Sequence, residues 1–305
     1  MDSNFKKCPG YYCGRMPLSN QTFSECGACD RGWKRNEEYI CVKCDDELQL
    51  YDFLFLAFNC IVPLLIHLFL IDFTVKFKTP ITSIKFIKFS KEVLILYLSA
   101  FLEIILSALI TVLLSEPRFS FEIHSCGVSS ISDFYTYFFN PSPRYEKTLI
   151  CTQERVFPLQ TMVLIFYSSC VFMMLIFRPI LNEKFCKGKI EKTSISIYYA
   201  LYAFPLLALI YAIAAGFLYF SFPYIAIIIS CAVNATHFAL KDEQDTKQLL
   251  IGSITSVRNI IIIVGNWLLF SFGIVSIKKY YLLLLAPIPT IFYILTAKYT
   301  NPDNY

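Results

Sequence analysis

Charged residues are scarce in this chain. Only 16% of its 305 residues are Asp, Glu, Lys or Arg, where soluble domains carry about 25%. Together with 56% hydrophobic residues and a mean hydropathy of +0.55, this excludes a soluble globular protein. Tryptophan is nearly absent, two residues against 29 Phe and 20 Tyr, so the apolar bulk is phenyl, phenol and aliphatic. No apolar run occurs between Met1 and Cys44. A secretory h-region is therefore missing there, and the first apolar run has to act as its own signal anchor. No histidine precedes His67. The amino-terminal region then offers six potential zinc ligands, all cysteine, where a RING-type ubiquitin-ligase head needs eight. His-Glu-x-x-His, Gly-x-Ser-x-Gly, a phosphate loop and paired intramembrane aspartates are all absent. Nothing supports a membrane protease, a transferase or a nucleotide-driven pump, and no catalytic residue, metal or cofactor is expected. With a net charge of only +4, no nucleic-acid partner is expected either.

What the chain does have is seven long apolar runs. A hydrocarbon core of about 30 Å needs roughly 20 helical residues. Phe53–Asp72, Val93–Ser115, Val156–Phe177, Ile197–Phe220, Phe222–Leu240, Asn259–Ile277 and Tyr280–Ala297 meet that length. Only helices satisfy their own backbone groups at bilayer depth. The expected fold is therefore all-α, a polytopic membrane protein of seven transmembrane helices (residues 51–305) behind a small cysteine-rich head (residues 1–50). The fourth and fifth runs are almost continuous, and Phe220-Ser-Phe-Pro223 is expected to part them.

Orientation is read from lysine and arginine in the short loops. The first loop (Lys76, Lys78, Lys85, Lys88, Lys91), the third (Arg178, Lys184, Lys187, Lys189, Lys192), the fifth (Lys241, Lys247, Arg258) and the tail (Lys298) collect fourteen. The opposite loops hold six: Arg118, Arg144, Lys147, Arg155, Lys278 and Lys279. The richer side is expected to be cytosolic, which places the head in the lumen or outside.

The head reads Cys8-x4-Cys13-x12-Cys26-x2-Cys29-x11-Cys41-x2-Cys44. Two Cys-x2-Cys pairs suit a zinc ribbon in a reducing compartment. In an oxidising lumen, an even set of cysteines in a module too small for its own core reads as a disulfide framework. The orientation favours disulfides, and Cys126 and Cys151 in the longest loop bring the set on that side to eight. Fifteen connectivities remain open for six cysteines. Asn20-Gln-Thr22 is a glycosylation sequon on the same side.

Polar groups inside spans are costly and are functional suspects. Glu103 lies near the middle of the second run and His67 late in the first. At about 1.5 Å per residue they differ in depth by roughly 8 Å, so a direct pair needs tilt or a water. Asn266, beside Trp267, reads as interhelical glue. A channel or transporter centred on Glu103 is one reading of these groups. A seven-span receptor with a cysteine-rich ligand-binding ectodomain is the main alternative function for the whole chain.

Taken in order, several segments resemble one family. They are Tyr12-Cys-Gly14, Glu25-Cys-Gly27 with Cys29 and Arg31-Gly32, Leu50-Tyr-Asp52, Ser132-Asp133 with Tyr135-Thr136, and Asn140-Pro-Ser-Pro143. Cys151-Thr152, Pro158-Leu159, Arg178-Pro179, Phe222-Pro-Tyr224 and Leu295-Thr-Ala-Lys298 continue the series. The chain resembles the seven-span membrane proteins of the endoplasmic reticulum that associate with Jun N-terminal kinase. That resemblance implies a non-enzymatic adaptor that recruits the proteasome and reticulum-associated degradation components, including a membrane ubiquitin ligase, to clear misfolded proteins. It also implies modulation of stress-kinase signalling, with Jun N-terminal kinase as a partner, although only seven residues follow Lys298. The cytosolic segments Phe73–Glu92, Arg178–Ser196 and Lys241–Arg258 would form the partner surface, while the head and Glu116–Arg155 would face lumenal clients.

Overall fold

The computed structural model describes residues 7–18, 22–77, 91–142, 148–186, 190–239, 245–255 and 257–300. The chain forms two compact units, Met1–Leu218 and Tyr219–Tyr305. Among the described residues, five helices are long and apolar enough to cross a membrane, and a further apolar stretch, Ile262–Ser276, is shorter. The protein is an all-α membrane protein with a disulfide-rich amino-terminal region.

In the first unit, short strands β1 (Trp33–Arg35), β2 (Cys41–Lys43) and β3 (Asp46–Glu47) precede the helices α1 (Leu50–Phe77) and α2 (Lys91–Leu114). Strand β4 (His124–Ser125) and two 3-10 turns, Ile131–Phe134 and Thr136–Phe139, follow. Helices α3 (Leu159–Cys186) and α4 (Ile190–Ala239) complete the order, the division between units falling within α4. Strands β1 and β2 form an antiparallel hairpin, Trp33 opposite Lys43. Strand β3 pairs instead with β4, Asp46 opposite Ser125. The head is thus continued by a strand from the α2–α3 loop.

Helix α2 packs most extensively on α3, and its sequence explains why. Ser99, Glu103, Ser107, Thr111 and Ser115 recur every four residues and are all buried. The hydroxyls of Ser107, Thr111 and Ser115 donate to the carbonyl four residues back, at 2.6 to 2.8 Å. Their hydroxyl protons are spent within the chain's own helical turn. What α3 meets is a small-residue face, which lets two backbones approach closely in an apolar medium.

The expected break at Pro223 is absent, and α4 runs unbroken through Pro205 and Pro223. A proline removes one backbone bond, whereas ending a helix exposes several unpaired groups. Among apolar residues on both sides, propagation is the cheaper outcome. The second expected correction concerns Lys241–Arg258, taken as a loop: it contains α5 (Thr246–Thr255), which buries Leu249 and Ser253. Helix α6 (Val257–Ser276), a 3-10 segment (Tyr280–Leu285) and α7 (Ile288–Thr300) complete the second unit. The last apolar run is therefore two elements.

Candidate functional site

Polar groups from four helices of the first unit meet at Arg178. Reading Arg178 as a loop cation is corrected here: it lies inside α3 and is fully buried. Its Nε and Nη2 donate to Glu103 Oε1 and Oε2 at 3.2 and 2.7 Å, a two-pronged grip on the carboxylate. Nη2 also lies 3.0 Å from His67 Nδ1, and Nη1 reaches Ser196 Oγ at 3.4 Å. The Ser99 hydroxyl donates to Glu103 Oε1 at 2.5 Å. One guanidinium therefore joins α1, α2, α3 and α4.

Its electrostatics follow from the donor inventory. A guanidinium has no acceptor, so His67 Nδ1 must accept and the imidazole proton sits on Nε2. The His67 ring is then neutral, packed 4.7 Å from the Phe204 ring. Among the described residues Nε2 has no hydrogen-bond partner, and it lies 3.9 Å from Glu103 Oε2, beyond bonding reach. One carboxylate and one guanidinium cancel, so the cluster carries no net charge into the bundle. The roughly 8 Å depth difference expected between His67 and Glu103 is not found: their side chains lie 3.9 Å apart and both contact Arg178 Nη2. Arg178 was hidden in the sequence by its position next to Phe177, where an apolar run ends. The clue was Pro179-Ile-Leu181, apolar residues that carry α3 onward. Ser196, assigned with Arg178 to the third-loop partner surface, is likewise buried in α4. A second interhelical contact, the Tyr167 hydroxyl donating to Asn59 Oδ1 at 2.9 Å, links α3 to α1.

Asn266 lies in the second unit, buried in α6, where its carbonyl accepts from Ser230 Oγ at 2.8 Å. Thr290 Oγ1 of α7 accepts from both Asn234 Nδ2 and Trp267 Nε1, each at 2.8 Å. These contacts bind α4, α6 and α7 to one another.

The other assembly of polar chemistry is the cap formed by head and loop. Disulfides Cys8–Cys26 and Cys29–Cys41 close the head on itself. Cys13–Cys151 and Cys44–Cys126 tie it to the loop, across 138 and 82 residues of sequence. Gly14 packs directly against the Cys29–Cys41 bridge, since a Cβ there would lie 2.8 Å from Cys41 Sγ and 3.0 Å from Cys29 Sγ. The seam between head and loop is polar and hydrogen-bonded. The Tyr12 hydroxyl donates to Asp133 Oδ1 at 3.0 Å, and Gln153 Nε2 donates to the Tyr12 carbonyl at 2.7 Å. Asp133 Oδ2 accepts from Ser129 N, Ser129 Oγ and Ser130 N. Burial pushes the Asp133 carboxyl up, but those three donors and the nearby Arg155 outweigh it and hold the group below the usual carboxylate range. Burial pushes the Tyr12 hydroxyl up to about 12. Among the described residues, no cluster of His, Cys, Asp or Glu could hold a metal ion. The sequon asparagine, Asn20, lies outside the described residues, as do Arg144, Lys147 and most of the lysines of the first and third loops.

The family model described as JNK1/MAPK8-associated membrane protein matches residues 8–302. The chain is similar to the JNK1/MAPK8-associated membrane proteins of Mus musculus and Homo sapiens. To each it is 36% identical over 310 residues, covering 97% of this chain and 94% of theirs. A Caenorhabditis elegans homolog of the same description is 31% identical over 294 residues, 93% of this chain and 86% of that one. No solved structure matches the chain.

Proposed function

This chain belongs to the family of JNK1/MAPK8-associated membrane proteins, and from that premise we propose that it is a non-enzymatic adaptor of the endoplasmic reticulum membrane. It gathers proteasome and degradation components, with a membrane ubiquitin ligase, to clear misfolded proteins, and it sets how long Jun N-terminal kinase signalling lasts. The cap faces the lumen, and the basic loops and tail face the cytosol.

The observation that carries this reading is the family match itself, which takes in both cap and spans over residues 8–302. The relatives are named for association with JNK1/MAPK8, and we extend that association to this chain. Two features support the rest. The span charges are gripped by one another, as a scaffold requires and a proton or ion pathway does not. Before and up to α4, the first and third loops without Arg178 still hold nine basic residues against four in the α2–α3 loop, and a cap with four disulfides belongs in an oxidising compartment.

Affinity purification in mild detergent from cells under folding stress tests the adaptor role. Proteasome subunits and degradation factors are expected in the eluate, and recovery of neither overturns it. Jun N-terminal kinase is expected in the same eluate. For orientation, a protease added outside sealed microsomes should leave the cap intact; a clipped cap reverses the assignment.

A further inference from the structure

Exposed tyrosines in the first unit are not scattered. Among the described residues, Tyr11 and Tyr137 stand out from the cap, and Tyr198, Tyr199 and Tyr202 stand out near the start of α4. Between the two groups the large exposed side chains of α4 are Leu206, Leu209, Ile210, Ile213 and Phe217, with no tyrosine. Tyrosine pairs an apolar ring with a polar tip, which suits the boundary between hydrocarbon and water and neither side of it. From Tyr199 to Gly216, where the cap touches α4, is 17 residues, or about 26 Å of helix. That is close to the hydrocarbon thickness of about 30 Å.

The cap's own attachments set the level of its aromatic residues. The Phe119 amide donates to the Leu113 carbonyl at 2.8 Å, which fastens Phe119 to the last turn of α2. The Tyr135 hydroxyl donates to the Ile213 carbonyl at 3.1 Å, fastening the 3-10 turns to α4. Gly216 permits that seat, because a Cβ there would meet Tyr135, Ile131 and Phe134 at 2.8 to 3.1 Å. Next to these anchors stand Phe119 at 81% exposure, Phe138 at 78% and Phe121 at 74%. In water, three phenylalanines this exposed beside the cap's anchors would be a costly apolar surface.

We propose that this aromatic rim, Phe119, Phe121, Tyr137 and Phe138, is a membrane-interface surface. Its partner is the glycerol and headgroup layer of the leaflet beside the cap. The cap then lies against the bilayer instead of standing off it, and the tyrosines of α4 mark the opposite boundary. The proposal does not rest on the adaptor reading or on which compartment the cap faces.

Tryptophan replacement is the test, in a full-length chain whose own Trp33 and Trp267 are changed to Phe, reconstituted in lipid vesicles. In Phe138→Trp, fluorescence should be lost to lipids brominated near the glycerol and spared by aqueous iodide. Tyr202→Trp reports the other boundary and should behave the same way. Retention of the four disulfides on a non-reducing gel shows that each variant is folded, and Tyr137→Trp replaces Phe138→Trp if that variant loses them. Quenching of the cap probe by iodide and not by brominated lipid overturns the proposal and leaves the face open to a protein. Quenching chiefly by bromines at the chain ends overturns it as well.

Discussion

Removing Arg178 alone would leave the buried Glu103 carboxylate without its counter-charge, with Ser99 as its remaining hydrogen-bond donor among the described residues. A buried ion pair broken from one side typically costs about 3–5 kcal/mol, whereas replacing both partners with well-packed apolar residues costs far less. Arg178→Leu and Glu103→Leu are each expected to lower the melting temperature in detergent, and the double variant should recover most of the loss. Additive losses would mean that the two residues act separately. Tyr12 supplies a pH signature outside the membrane. Its folded value of about 12 lies above the ordinary value of 10, so its contribution is complete below pH 10 and fades as the pH rises toward 12. Tyr12→Phe should flatten cap stability in that window, read as resistance to proteolysis. Asp133 works in the opposite direction. Its lowered value gives stability that is present above about pH 4 and lost as acid protonates the carboxylate.

At the scale of elements, α2 shows how packing is encoded. Apart from Glu103, its buried face is made of serines and a threonine, and Ser107, Thr111 and Ser115 give their hydroxyl protons to their own helix, so away from the Arg178 grip close approach to α3 depends chiefly on size. Ser107→Leu should overpack the contact at a cost of about 1–3 kcal/mol, while Ser107→Ala should be nearly neutral, both read as thermal stability in detergent. Equal effects would mean that the hydroxyl and not its volume matters. The helices themselves were legible in the sequence because about 20 apolar residues have few other ways to satisfy their backbone. The ends and breaks were not. Pro223 is a breaker by local chemistry, yet an apolar context carries α4 through it, and α5 hides in a segment whose charges suggested a loop. The site was half visible: Glu103 and His67 announce themselves as polar groups in apolar runs. Arg178 does not, because beside Phe177 it reads as an ordinary flanking cation until α3 is seen to continue to Cys186.

For the whole molecule, the cap imposes a rule of parity. Cys13 and Cys44 precede α1, while their partners Cys151 and Cys126 follow α2. Residues joined by a disulfide must lie on the same side of the membrane, so the chain crosses an even number of times between them. Helices α1 and α2, each with an apolar stretch long enough to span, supply two crossings. The same covalent ties predict a cleavage pattern. A protease site inserted between residues 78 and 90, in the connection from α1 to α2, divides the chain into two pieces. These should migrate as one band without reductant and as two with it. Converting Cys13 and Cys44 together to serine should separate the pieces without reductant, whereas converting either alone should not, since the other bridge still holds. Separation of the unmodified pieces under non-reducing conditions would mean that the head pairs its cysteines only internally, and the parity argument would fall with it. Access to the inserted site from outside sealed microsomes then reports the side on which the connection lies, and by parity the cap lies on the other.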